Sequence, residues 1–69
     1  MITHDEFSRL SRYDQGDYIN EIFKQNGLDE PLEWDIHGYW IERKTNLVFT
    51  IKTYASKFDR VLQGGLFSD

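Results

Sequence analysis

Glu33, Asp35, His37 and Tyr39 alternate along the chain and are the residues here whose types and spacing come closest to a chemical site. On a continuous strand they would project to one side, and two carboxylates beside a histidine can ligate a metal ion or serve as general acid and base. Asp35 and His37 would stand ~7 Å apart at the backbone, near enough for their side chains to converge. A metal site there would still need ligands from elsewhere in the fold, and Gly38 interrupts the strand on which the shared facing depends. The competing explanation is a solvated strand face. A small metal-dependent enzyme built on Glu33, Asp35 and His37 is therefore an alternative to the main expectation, which is a protein without enzymatic activity or cofactor.

Other catalytic chemistry finds little in the sequence. There is no cysteine, and none of the four serines lies in a Gly-x-Ser-x-Gly turn. Gly64 and Gly65 lack the spacing and the lysine of a phosphate loop and are expected to end a helix. His4 falls in the first turn of an expected helix, exposed to solvent. A domain of 69 residues would also give up much of its core to a pocket of ordinary ligand size.

Charge is the stronger signal. Residues 1–42 carry ten acidic and three basic side chains, whereas residues 43–69 carry two acidic and five basic, so a net charge of −7 is followed by one of +3. Asp29, Glu30, Glu33 and Asp35 cluster within seven residues, preceded by Asp14, Asp17 and Glu21 on an expected helix. Such an array can occupy the basic groove of a nucleic-acid-binding protein by mimicking its charge, as small inhibitors from phages and mobile elements do. Solubility and favourable charge at helix N-termini account for Asp5, Glu6, Asp14 and Asp17, but less well for the later cluster. The second half permits a different reading, in which Arg43, Lys44, Lys52, Lys57 and Arg60, interleaved with Tyr54 and Phe58, bind nucleic acid. Five dispersed cations are few for that role, and the acidic helix is unlike a helix that reads DNA.

These side chains must be positioned by short elements. Thr3 and Glu6 form a capping-box pair opening a first helix with Phe7 and Leu10 on one side. A turn is expected over residues 11–16, with Asp14 as a second cap. Tyr18, Ile19, Ile22 and Phe23 then form the apolar stripe of a second helix, ended by Asn26, Gly27 and Pro31. From Leu32 the apolar period becomes two. Leu32, Trp34 and Ile36 begin a strand, residues 42–46 form a polar turn, and Leu47, Phe49 and Ile51 mark a second strand. Gly38 is read as a bulge in one long strand, the alternative being a tight turn that creates a three-stranded meander. Ser56 is expected to cap a short last helix carrying Phe58, Val61 and Leu62. Leu66 and Phe67 then either dock on the core or are held out for a partner.

An isolated hairpin is marginal in water, so the second helix must cover its apolar face. The expected fold is α+β: two N-terminal helices, an antiparallel β-hairpin and a short C-terminal helix in a single domain over residues 1–69. A chain this short buries only ~60% of its unfolded surface and has no cysteine for a disulfide, so a homodimer or burial against another protein is a natural support. Aromatic residues that the assigned core does not accommodate, Tyr39, Tyr54 and Phe67, with Tyr13, are candidate interface anchors. No signal peptide or membrane-length apolar run is present, so a cytoplasmic protein is expected. The function expected is binding to another protein with a basic surface, as an inhibitor or regulator, through Asp14, Asp17, Glu21, Asp29, Glu30, Glu33 and Asp35.

Overall fold

The computed structural model describes residues 1–48 and 50–68. Its elements run α1 (His4–Ser8), α2 (Arg12–Gln25), β1 (Leu32–Trp34), β2 (Trp40–Glu42) and α3 (Ile51–Asp59), an α+β arrangement with one two-stranded antiparallel sheet. Phe49, expected on the inner side of a second strand, lies outside the described residues.

The helix caps are local chemistry. Thr3 accepts from the Glu6 amide (3.1 Å) while the Glu6 carboxylate accepts from the Thr3 amide (3.0 Å), the reciprocal pair that opens α1. The α2 cap corrects the sequence reading: Ser11, not Asp14, accepts from the Asp14 amide, and the segment expected to turn is already helical. At the other end Gly27, with φ of +75°, allows its amide to reach Lys24 O and that of Leu28 to reach Phe23 O, which satisfies two terminal carbonyls.

The hairpin also differs from the favoured long bulged strand. After Trp34 the chain reverses over residues 35–39, and β2 returns with Leu32 opposite Glu42 and Trp34 opposite Trp40. Gly38 sits in that reversal at φ +86°, so the turn alternative gives the correct position. The third strand of a meander does not form among the described residues. Only a single bridge joins Ile41 to Val48, after the expected polar turn at residues 42–46. Ile51, expected in the second strand, instead opens α3, with Thr50 as its cap in place of Ser56. Ile51, Tyr54 and Phe58 recur at helical spacing and face inward, whereas Val61 lies beyond the helix and is exposed.

The core joins Ile19, Ile22 and Phe23 of α2 to Leu32 and Trp40 of the hairpin and to Ile51, Tyr54 and Phe58 of α3. Asn20 fastens the strand to the helix: its amide donates to Leu32 O and its carbonyl accepts from Leu32 N, both at 3.1 Å. Leu66 and Phe67 dock on the core rather than reaching outward. Phe67 packs on Phe7, with ring centroids 5.1 Å apart, and Tyr18 donates to Leu66 O.

Candidate functional site

The alternating set read as a chemical site is broken up by the hairpin. Asp35 Oδ1 accepts from the amides of His37 (2.8 Å) and Tyr39 (3.1 Å), which commits that carboxylate to the turn. Glu33 lies on β1, outside the turn, so the two carboxylates and His37 do not share one strand face. Among the described residues no group of three or more histidine, aspartate and glutamate side chains is placed to hold a metal ion.

The acidic residues are arranged differently. Asp14, Asp17 and Glu21, spaced three and four apart, form one exposed row on α2. The buried side of the helix, carrying Gly16, Ile19, Ile22 and Phe23, faces away from that row. Lys24 continues it and approaches both Glu21 (3.9 Å) and Glu30 (3.8 Å). Asp29 is exposed just beyond the helix, and Glu33 is exposed on the strand that Asn20 holds. Thus six of the seven acidic candidates reach solvent from α2, β1 and their connection, and Asp35 is occupied in the hairpin loop.

The aromatic candidates divide. Tyr39 is half exposed on the hairpin, but Tyr54 is fully buried and Phe67 nearly so, which removes both as surface anchors. The reason is the helical course of residues 51–59, which turns Tyr54 inward to stack on Phe58 at 5.3 Å, and the docking of the tail, which seats Phe67 against α1. Burial, with the Glu42 carboxylate nearby, pushes the Tyr54 phenol well above the usual tyrosine range.

Tyr13, one of the expected anchors, is exposed, and so is Trp34. Tyr13 meets Trp34 edge-on, with centroids 5.2 Å apart and planes at 84°, and both rings pack on Trp40. Trp40 is buried and donates its indole N–H to Arg12 O at 2.9 Å. Ile36, in the loop between the strands, is 96% exposed. Sequence reasoning placed Trp34 and Ile36 on the inner strand face, and the reversal after Trp34 is what exposes them. The clue was the Asp35 to Gly38 spacing, which suits a turn closed by an aspartate side chain.

The basic candidates are distributed over the hairpin, the turn after it and α3. Lys57 Nζ donates to Glu42 Oε2 at 2.7 Å, and Arg43 Nε reaches Leu32 O at 3.4 Å. Lys44 lies in the turn after β2, Lys52 in the first turn of α3 and Arg60 at its end. Glu42 is itself buried; the bonds from Lys57 and from Thr45 (2.8 Å) hold its carboxyl below the usual range. An open groove of about 450 Å³ runs between Arg12, Tyr39, Trp40, Val48 and Ile51. Among the described residues no helix is long and apolar enough to cross a membrane.

No protein-family model matches this chain, and neither a curated protein nor a solved structure is detectably similar to it.

Proposed function

We propose that this protein binds other proteins, as a small inhibitor or regulator, by presenting the outward side of α2 and the adjoining strand to a basic surface. The observation that carries this reading is the exposed row Asp14, Asp17 and Glu21, extended by Asp29, Glu30 and Glu33, on a helix whose opposite side is committed to the core. Among the described residues Asp14, Asp17, Asp29 and Glu33 enter no ion pair. Uncompensated carboxylates on a rigid helix concentrate negative potential and steer a positively charged partner toward it. Ile36, Tyr39, Tyr13 and Trp34 supply apolar contact area that charge alone lacks.

A phosphate-binding groove on a nucleic-acid-binding protein has the matching chemistry, since carboxylates can occupy the positions of phosphates. That is the strategy of a phage- or mobile-element-derived inhibitor.

The test combines Asp17→Lys, Glu21→Lys and Glu33→Lys. Asp35 is spared because it closes the hairpin loop. Tagged wild-type and variant proteins are used to capture partners from host extract, with mass spectrometry to identify them and circular dichroism to show that the variant folds. The wild-type partner should be lost from the folded variant, and wild-type capture should weaken between about 50 and about 500 mM salt as charge is screened. Undiminished capture by the folded variant overturns the proposal.

A further inference from the structure

Tyr13 is 49% and Trp34 37% exposed, although both rings rest on the buried indole of Trp40. Trp40 cannot shift easily: Gly16 lies directly beneath its ring and Arg12 O accepts its N–H. Two large rings are therefore held nearly perpendicular at the surface without relying on a partner to order them. Asp17 lies one helical turn beyond Tyr13 on the same row and, among the described residues, enters no ion pair. Asp14, next to Tyr13 in the chain, is also exposed and unpaired among them.

Fixed aromatic faces beside uncompensated carboxylates select a particular occupant. A purely apolar side chain would cover the rings but strip water from Asp17 with nothing in return. A nucleobase could stack, yet its phosphates would approach Asp14 and Asp17. A guanidinium satisfies both features: it stacks on an aromatic face and presents a donor fork to a carboxylate. Arg12 of this chain does not fill that role, because its guanidinium reaches the Gly38 carbonyl at 3.3 Å.

We infer that Tyr13 and Trp34 form the seat for an arginine side chain of a basic protein partner, with Asp17 taking the guanidinium charge. This rests on the reading of α2 as a surface for basic proteins and specifies the side chain that anchors there. Arginine is preferred to lysine at the seat because lysine's compact ammonium neither stacks as a plane nor pairs bidentately.

The probes are two eight-residue peptides alternating glycine with arginine or glycine with lysine, titrated calorimetrically into the intact protein at low salt. The arginine peptide should bind about tenfold more tightly, the scale of a desolvated stacking contact. Tyr13→Leu should erase that preference while leaving weak binding of both peptides, and Asp17→Asn should weaken the arginine peptide more than the lysine peptide. Far-ultraviolet circular dichroism and a cooperative thermal melt report whether each variant keeps its fold. Equal affinity for the two peptides, or an arginine preference untouched by Tyr13→Leu, overturns the seat. If the triple charge reversal still abolishes both, the acidic-surface reading stands without it. If neither peptide binds, the seat is also removed, and the host-capture experiment then decides the broader reading by itself. Tight binding of a single-stranded oligonucleotide, lost in Tyr13→Leu, would assign these rings to bases instead.

Discussion

The indole of Trp40 occupies the space into which any side chain on Gly16 would project: a Cβ there would lie 2.0 Å from Trp40 Cε2. This contact joins the middle of α2 to the hairpin, and it explains a glycine inside a helix. Alanine would improve helix propensity by ~1 kcal/mol, but the clash displaces a buried ring that also holds Tyr13 and Trp34. Gly16→Ala should therefore destabilise the protein by about 2 kcal/mol net, as overpacking typically does. Urea denaturation followed by tryptophan fluorescence checks this, and a more stable variant would show that the contact is readily relaxed.

Asn20 supplies Leu32 with both a donor and an acceptor at 3.1 Å, in place of a neighbouring strand. Asn20→Ala leaves the buried amide of Leu32 without that acceptor, and about 2–3 kcal/mol of stability should be lost. The Leu32 carbonyl keeps a longer bond from Arg43, so the loss should be felt most at the amide. Hydrogen exchange of Leu32 N–H should accelerate more than that of amides within α3.

Phe67 packs against Phe7 and His4, with ring centroids 5.1 Å and 3.9 Å away. Phe67→Ala should cost about 3 kcal/mol, the range for a buried aromatic residue. Ile36→Ser, at a position 96% exposed, should change stability by less than about 0.5 kcal/mol. Thermal melts of the two variants distinguish a core tail from a tail held out for binding.

The two ends of the pH range should report different groups. Glu42 has its carboxyl lowered by Lys57 and Thr45 from an ordinary value of 4.5. The unfolded chain then binds the proton more readily than the folded one, so stability is present above that value and lost as pH falls through the lower folded one. Glu42→Gln should flatten this acid limb in part. Glu6, lowered through its bonds with Thr3, acts in the same direction.

Tyr54 behaves in the opposite sense. Its phenol is raised by burial, so the folded chain keeps a proton that the unfolded chain loses above about 10. Stability should decline as pH rises beyond that point, and Tyr54→Phe should flatten the alkaline limb. Denaturation midpoints measured across both limits test the pair of expectations, and an unchanged alkaline slope in Tyr54→Phe would assign that limb to another group.

Local chemistry made part of this architecture legible. The Thr3 and Glu6 capping box, the Gly27 helix end, the apolar stripe Ile19, Ile22 and Phe23, and the polar turn after Glu42 all depend on residues a few positions apart. The acidic character of α2 was equally readable, because the three- and four-residue spacing of Asp14, Asp17 and Glu21 places them on one row once the helix forms.

Other features depended on distant partners. Ile51 fits both an alternation with Leu47 and a helical period with Tyr54 and Phe58; burial against α2 and the Thr50 cap select the helix. Gly16 reads locally as a turn signal, and only the indole of Trp40 gives it a place inside a helix. Asp35 carries the same carboxylate whether it faces a metal ion, a partner or the amides of His37 and Tyr39, and the reversal of the hairpin decides among them. The sequence by itself determined the Thr3 and Glu6 capping box, the Gly27 helix end, the polar turn after Glu42 and the sign of the surface charge, since these follow from neighbours along the chain. Which aromatic rings are buried and which reach solvent was decided by tertiary packing, because Tyr13 and Tyr54 differ in what the fold brings against them, not in their chemistry.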